Sequence, residues 1–237
     1  MKKLLGLAVL LVALPLAVMA DTASPGPCQP GALSTYIGSS CTIGDKVFSN
    51  FSYNDLVSGG APAVDASAVY VTPLTESLNP GLQFQGNWLA TAAGQSNDIV
   101  IGYTVQVLPG GGAIEDASLS IPGSSALGGG TVIVGETLWL DCTGPCATST
   151  ELSVWNYPGS ANDQLYDHTT FDPVMVVTAQ KDISLYASNA GQINYAAVSI
   201  VTQNYSEVPV PEPATLTLLG TGLIGLGGVV RRRLRRK

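Results

Sequence analysis

The chain has 237 residues with 17 acidic and 10 basic side chains, and eight of the ten cations lie at its two ends. Between Asp21 and Glu207 the only cations are Lys46 and Lys181, against 16 acidic residues, so this stretch has a net charge of −14. Proteins that bind nucleic acids need lysines and arginines to neutralise phosphates, so this composition excludes nucleic-acid binding by the central part of the chain.

The amino terminus has the pattern of an export signal. Lys2 and Lys3 precede an apolar run over residues 4–16, and the small residues around Val18 and Ala20 predict cleavage between Ala20 and Asp21. We therefore expect residues 1–20 to be a signal peptide, removed by signal peptidase after passage through the Sec translocon. The alternative is an uncleaved anchor, which the short apolar run disfavours.

Residues 21–207 have the hydrophobic period of β-strands. In GLQFQGNWLA, Leu82, Phe84 and Trp88 fall on one face, and DIVIGYTVQVL repeats this alternation over residues 99–107. Further strands are predicted over residues 47–53, 68–71, 117–121, 131–134, 137–140, 152–157, 174–179, 183–187 and 193–202. Glycine and proline turns separate them. The pattern predicts one all-β domain, an antiparallel β-sandwich of jelly-roll or immunoglobulin-like kind. A division into two domains is the alternative, but no linker marks one.

Four cysteines lie in this body. An even number in an exported chain favours disulfides, and three connectivities are possible. We favour Cys28 with Cys41 and Cys142 with Cys146. A zinc site is the alternative, but the oxidising compartment and the cysteine spacing argue against it.

Candidate catalytic residues are few. His168 is the only histidine, so a nucleophile–histidine relay would have to use it, and the chain has no Gly-x-Ser-x-Gly motif. The string YDHTTFDP around His168 is typical of a polar loop. Three aspartates, Asp163, Asp167 and Asp172, could bind calcium, but they lack the oxygen spacing of an EF-hand loop. We therefore predict no catalytic residue, no metal and no cofactor.

The three tryptophans leave two interpretations open. A tryptophan in a strand is usually part of the core, but exposed rings on a β-sandwich can stack on sugar rings. Trp88, Trp139 and Trp155 each lie in a predicted strand. Their exposure in the folded protein would separate the two interpretations.

The carboxyl-terminal end combines a spacer, an apolar run and a basic tail. Pro209, Pro211 and Pro213 force residues 208–213 into an extended conformation of about 19 Å. Residues 214–230 have no charge and as a helix would span about 26 Å, close to a bilayer core, so they predict a transmembrane helix. The basic residues that follow keep the tail in the cytoplasm and leave the body outside. These residues are Arg231, Arg232, Arg233, Arg235, Arg236 and Lys237.

This tail resembles the PEP-CTERM sorting tail of exported proteins of Gram-negative bacteria. The resemblance rests on Pro211-Glu212-Pro213, the glycine-rich apolar run and the terminal arginine cluster, in that order. It implies that an exosortase recognises the triplet Pro211, Glu212 and Pro213 and cuts the tail. The body would then pass from the periplasmic side of the inner membrane to the cell surface or an extracellular polysaccharide matrix. The chain is then a substrate, not an enzyme; a permanent anchor that is never cut is the alternative.

Two further features accompany the resemblance. This tail family is also labelled an ice-binding protein C-terminal domain. An ice-binding face needs threonines that repeat at the strand period over several strands, and the body has this spacing only in Thr148-Ser149-Thr150. The opening CQPGALSTYIGSSCTIGDKVFSNFSY resembles one found in a subset of PEP-CTERM proteins and implies no activity; Gly44-Asp45 within it predicts a turn before a strand. Two hypotheses remain for the body: a non-catalytic surface or matrix protein, or a carbohydrate-binding module that uses the same sorting route.

Overall fold

The computed structural model of the chain describes residues 25–76, 78–159, 163–188 and 193–208. The predicted signal peptide, the PEP triplet, the predicted transmembrane helix and the basic tail lie outside these residues. Within the described part of the chain, no helix is long and apolar enough to cross a membrane.

The described body consists of thirteen strands and two short helical turns. In chain order the elements are β1 (Gly31–Ala32), α1 (Leu33–Tyr36), β2 (Cys41–Ile43), β3 (Lys46–Ser58), a 3₁₀ turn (Ala66–Ala68), β4 (Tyr70–Leu74), β5 (Gly81–Ala90), β6 (Ser96–Val107), β7 (Ile114–Ser120), β8 (Ser124–Gly128), β9 (Gly130–Leu140), β10 (Ser149–Asn156), β11 (Tyr166–Val174), β12 (Val176–Ala187) and β13 (Asn194–Glu207).

The strands form two antiparallel sheets, as the sequence predicts. The front sheet has the order β10-β9-β12-β6-β3-β2, and the back sheet has the order β1-β4-β5-β13-β7-β11, with β8 also paired to β13. Their inner faces enclose one hydrophobic core. The architecture is therefore an all-β antiparallel sandwich.

The period-two pattern correctly predicts which side chains enter this core. Leu82, Phe84 and Trp88 of β5 are fully buried, and so are the alternate residues of β6 from Ile99 onward. Each buried side chain of this size stabilises the fold by about 1.5–3 kcal/mol. Since the two strands lie in different sheets, these side chains pack the sheets against each other.

Two predicted strand pairs are single long strands in the structure. The predicted strands 131–134 and 137–140 are both part of β9. The predicted strand 183–187 and most of 174–179 are part of β12, while Val174 ends β11. The interruptions are Glu136 and Lys181, which break the hydrophobic alternation. They are paired directly opposite each other across the two strands and lie on the buried face.

The segment YDHTTFDP is an edge strand, so its interpretation as a polar loop was wrong. It forms most of β11, which pairs with β7 at the edge of the back sheet. Most of its side chains are exposed or half-buried, because an edge strand has only one neighbour in its sheet and this one covers little of the core. Because both faces of this strand are polar, it lacks the alternation of apolar and polar residues by which the other strands were predicted.

The structure contains the two disulfides favoured by the sequence. Cys28 pairs with Cys41 and Cys142 pairs with Cys146, with Cα–Cα distances of 4.7 and 6.6 Å. The predicted turn at Gly44-Asp45 connects β2 to β3, and Gly44 has a φ of 59°. This left-handed angle suits glycine at the first central position of a hairpin turn.

Candidate functional site

The described body ends where the extended spacer begins. Strand β13 runs through the middle of the back sheet between β5 and β7, and Val208, the last described residue, donates its backbone N–H to the Ala113 carbonyl at 2.9 Å. The triplet Pro211, Glu212 and Pro213 follows within a few residues. The ordered fold therefore reaches almost to the predicted sorting motif.

A buried lysine holds the end of β13. Lys46 Nζ donates to Asp45 Oδ1 at 2.6 Å and to the Gly112 carbonyl at 2.8 Å, and it lies 2.9 Å from Glu207 Oε1. Its side chain is fully buried. We call Asp45, Lys46, Gly112 and Glu207 the tail clamp, because Glu207 is the final residue of β13 and precedes the spacer.

Backbone geometry fixes the tail clamp from both sides. The Gly44 turn places Asp45 directly before β3, and Asp45 Oδ2 accepts the Gly112 N–H at 2.6 Å. A Cβ at Gly112 would lie 2.7 Å from the Val208 carbonyl oxygen and 2.8 Å from Glu207 Oε2. Only glycine therefore fits there without displacing the end of β13.

The two carboxylates of the tail clamp differ in proton affinity. Burial raises the pKa of Glu207 above its usual value, and the ion pair with Lys46 offsets this only in part. Burial also acts to raise the pKa of Asp45, but hydrogen bonds from Lys46 and the Gly112 N–H outweigh it and leave the pKa lowered. On acidification Glu207 is therefore the first of the two to take a proton.

The outer face of the front sheet carries a polar groove. The groove has a volume of about 400 Å³, and Asp167 of β11 lines it together with outward-facing residues of three adjacent strands of the front sheet: Gly135, Thr137, Glu151, Ser153, Gln180 and Asp182. Gly135 forms part of its floor, because a Cβ at this position would contact nothing within 4 Å. The groove therefore exists because β9 has no side chain at the centre of this face.

Two tryptophans lie on the same outer face, one beyond each end of the groove lining along the strands, and neither lines the groove itself. Trp139 and Trp155 are half-buried and project from the outer face, while Trp88 is fully buried in the core. Trp155 is paired with Ile133, six residues from Trp139 along β9, so about 20 Å separates the two indoles along the strand direction. They therefore do not form one stacking platform, but they flank a single elongated polar surface.

Two carboxylates lie close together beside the groove. Asp98 and Asp182 project from the same outer face on the neighbouring strands β6 and β12. Burial raises the pKa of Asp98, and the nearby Asp182 and Asp55 carboxylates raise it further. This part of the surface is strongly acidic and disfavours anionic ligands.

Within the described residues, His168 and the nearby aspartates do not come together as a metal site. His168 lies on the surface, 3.6 Å from Asp116 Oδ2. Asp163 and Asp167 accept backbone N–H groups of Tyr157 and Ser153 at 2.9 and 2.8 Å, which stabilises the edge of β10. Across the described ranges, no group of three or more histidine, cysteine or acidic side chains is arranged to hold a metal ion.

The core contains a polar cluster that sequence reasoning missed. Lys181 Nζ donates to Glu136 Oε1, to Gln203 Oε1 at 2.9 Å and to the Tyr103 hydroxyl at 3.2 Å. The Tyr205 hydroxyl donates to that of Tyr103 at 3.0 Å. All five residues are buried, and we call them the core cluster. One signal was present in the sequence: Lys181 is one of only two cations in the body, and it occupies an inward position of a strand.

Two carbohydrate-binding modules of low similarity are among the solved structures that match this chain. One is the module TmCBM61 in complex with β-1,4-galactotriose, at 7% identity and a TM-score of 0.28, covering 64% of this chain and 86% of that one. The other comes from work on the promiscuous specificity of carbohydrate-binding modules of the β-sandwich superfamily, at 14% identity and a TM-score of 0.23, covering 76% and 64%. No curated protein sequence matches this chain.

The tail gives a definite match. Residues 209–236 match the PEP-CTERM protein-sorting motif, and they include the triplet, the apolar run and five of the six terminal cations. The match begins one residue after Val208, where the described body ends. The chain therefore carries a PEP-CTERM sorting signal directly after its β-sandwich.

Proposed function

We propose that this chain is an exported, non-catalytic protein of the cell surface or extracellular matrix, and that an exosortase removes its tail. The match of residues 209–236 to the PEP-CTERM sorting motif carries this proposal. The described fold supports it, because β13 is hydrogen-bonded up to Val208 and the recognised peptide follows immediately. A folded body directly before an extended peptide leaves a membrane enzyme a defined segment to bind.

The proposed route has three stages. The Sec translocon exports the chain, and signal peptidase cuts between Ala20 and Asp21. Residues 214–230 then hold the body on the periplasmic side of the inner membrane while Arg231 and the following cations stay in the cytoplasm. The exosortase finally releases the body or transfers it to the surface. Two disulfides in the body fit an oxidising compartment.

Replacement of Pro211, Glu212 and Pro213 by alanine tests the sorting proposal. We expect the full-length variant to accumulate in the inner membrane, because the exosortase loses the residues that it recognises while the apolar anchor remains. Membrane fractionation and the intact mass of the protein in its native host report the outcome. Thr215→Ala with Thr217→Ala is the matched control, since it keeps the triplet and an apolar anchor. Processing of the triplet variant like the wild type would contradict the proposal.

The second candidate function of the body is binding of a neutral polysaccharide by the outer face of the front sheet. The groove at Gly135 supports it, with Trp139 and Trp155 beyond its ends and amide, hydroxyl and carboxylate groups between them. Half-buried indoles can stack on the apolar faces of sugars, and the polar side chains can bind their hydroxyls. The spacing of about 20 Å between the indoles suits an extended chain better than a single sugar.

Three variants test polysaccharide binding. Trp155→Ala and Gly135→Leu should each reduce retention on the host's extracellular polysaccharide about tenfold, a loss of about 1.4 kcal/mol, because one removes a stacking surface and the other fills the groove. Thr170→Leu on β11 is the control, since Thr170 is exposed and does not line the groove. The measurement is affinity electrophoresis together with a glycan array, using the exported protein. Equal retention of all variants, or no binding by the wild type, would exclude this function.

A further inference from the structure

The core cluster places an amine next to a side-chain amide in a water-free environment. Lys181 and Gln203 are fully buried, and they come from opposite sheets, on β12 and β13. Lys181 Nζ lies 2.9 Å from Gln203 Oε1. Since a carbonyl bond is about 1.23 Å long, the amide carbon of Gln203 lies no more than about 4.1 Å from Nζ.

The environment of Lys181 favours its neutral form. Burial lowers the pKa of Lys181 and raises the pKa of Glu136, to which Nζ donates a hydrogen bond. Transfer of the proton from the ammonium to the carboxylate removes both charges from the core. The product is a neutral amine, which is a nucleophile, beside a carboxylic acid, which can deliver a proton.

The amide of Gln203 has an unused nitrogen. Gln203 Nε2 is buried and faces the Glu136 carboxylate, but it makes no hydrogen bond of normal geometry to any described residue, and neither does Glu136 Oε2. A buried donor without a partner is unfavourable in a native core. Loss of this nitrogen from the side chain would remove the unpaired group.

We propose that Lys181 and Gln203 form an intramolecular isopeptide bond, with Glu136 as the proton-transfer residue. The Nζ lone pair forms a bond to the Gln203 amide carbon while the carbonyl π pair moves to Oε1. Glu136 accepts a proton from Nζ and gives one to Nε2. The carbonyl re-forms, the bond from the carbon to Nε2 breaks, and ammonia leaves. An amine and a primary amide thus become a secondary amide and ammonia, without an oxidant or a co-reactant.

The fold replaces the very high reactant concentrations that this reaction would need in free solution. Amines and amides do not react at neutral pH in water, but fixed proximity and orientation can replace very high reactant concentrations. Here the nucleophile, the carbonyl and the acid lie on three neighbouring strands of a packed core. The bond would join the front sheet to the back sheet through β13, the strand that leads to the sorting tail.

Lys46 provides an internal comparison. It is also fully buried, but its partners in the tail clamp are two carboxylates and a backbone carbonyl, with no side-chain amide. We expect no cross-link at Lys46. The protein therefore contains one lysine that should react and one that should not.

Trypsin distinguishes the two lysines. The body between Asp21 and Glu207 contains only Lys46 and Lys181 and no arginine, and trypsin does not cut after an acylated lysine. We expect the denatured wild-type protein, exported as the full chain, to be cut after Lys46 and not after Lys181. The uncut fragment should be lighter than its sequence by one ammonia. Complete cleavage after Lys181, or an unaltered mass, would overturn the proposal.

Variants assign the roles within the cross-link. Gln203→Met and Glu136→Gln should both restore cleavage after Lys181, because one removes the electrophile and the other removes the proton carrier. Gln106→Met on β6 is the control and should stay uncut at Lys181, since Gln106 is exposed and outside the core cluster. Full cross-linking of Glu136→Gln would overturn the role of Glu136. A mass loss of one water, with a cross-link from Lys181 to Glu136, would overturn the role of Gln203. If a variant fails to fold, the wild-type digest still decides.

Discussion

Single ionisable residues make this β-sandwich sensitive to pH. Asp98 is half-buried on the outer face of the front sheet, its Oδ1 has no hydrogen-bond partner among the described residues, and it lies near two other carboxylates. Burial, followed by the repulsion from Asp182 and Asp55, raises its pKa. The ionised form is therefore less favourable in the folded protein than in the unfolded chain. Asp98 destabilises the fold at neutral pH and ceases to do so once it is protonated.

Asp98→Asn should raise the melting temperature at pH 7. The gain in the free energy of unfolding should be at most about 1 kcal/mol, because solvent screens a half-exposed charge. It should shrink as the pH falls through the raised pKa of Asp98, since the wild-type carboxyl is then neutral as well. Thermal unfolding followed by circular dichroism across this range measures the effect. Glu151→Gln, at an exposed carboxylate of β10, is the matched control for the loss of one charge. A gain that grows on acidification would contradict the explanation.

At the scale of elements, the tail clamp connects the first long strand to the last. Lys46 begins β3 and Glu207 ends β13, so this ion pair joins the two sheets at the end of the sandwich where the chain leaves the body. A buried ion pair contributes little relative to apolar packing, but removal of one partner leaves a buried charge unpaired. The end of β13 should therefore depend on Lys46 more than on any single backbone hydrogen bond.

Lys46→Met should destabilise the protein by about 2–4 kcal/mol at neutral pH, because Asp45 and Glu207 then lie close together without a cation. The loss should shrink at acidic pH, because without Lys46 nothing opposes the rise that burial gives to the pKa values of Asp45 and Glu207, so both carboxylates take up protons in the folded variant. Urea unfolding at both pH values measures this. Glu207→Gln is the matched comparison. It should lower the free energy of unfolding by less, because Lys46 keeps its contacts with Asp45 and the Gly112 carbonyl. Equal stability of Lys46→Met and the wild type at neutral pH would contradict the role of the clamp.

For the whole molecule, the alternation of apolar residues was sufficient to predict the class of fold and much of its core. Leu82, Phe84 and Trp88 are buried as the pattern of β5 requires, and the cysteines pair as their spacing suggests. These features depend on neighbours in sequence. The conformation of a strand and the closure of a short loop are local properties, so both can be predicted from a single sequence.

The remaining features depend on contacts between distant parts of the chain. Glu136 and Lys181 looked like strand breaks, because an inward charge is acceptable only if the facing strand supplies its partner. The groove at Gly135 required the register of β10, β9 and β12, and the tail clamp joins residues from opposite ends of the body. The edge strand β11 was missed since neither of its faces is apolar. Register and strand order are not readable from periodicity.

The central position of β13 determines how the molecule responds to mechanical load. In the proposed membrane-anchored state, any drag on the body would pull along β13 from its carboxyl end. The backbone hydrogen bonds from β13 to β5 and β7 run perpendicular to this direction on both sides of the strand. They must therefore break together in shear and cannot break one after another. In that state the body would be attached through a central strand, which resists extraction by force better than an edge strand.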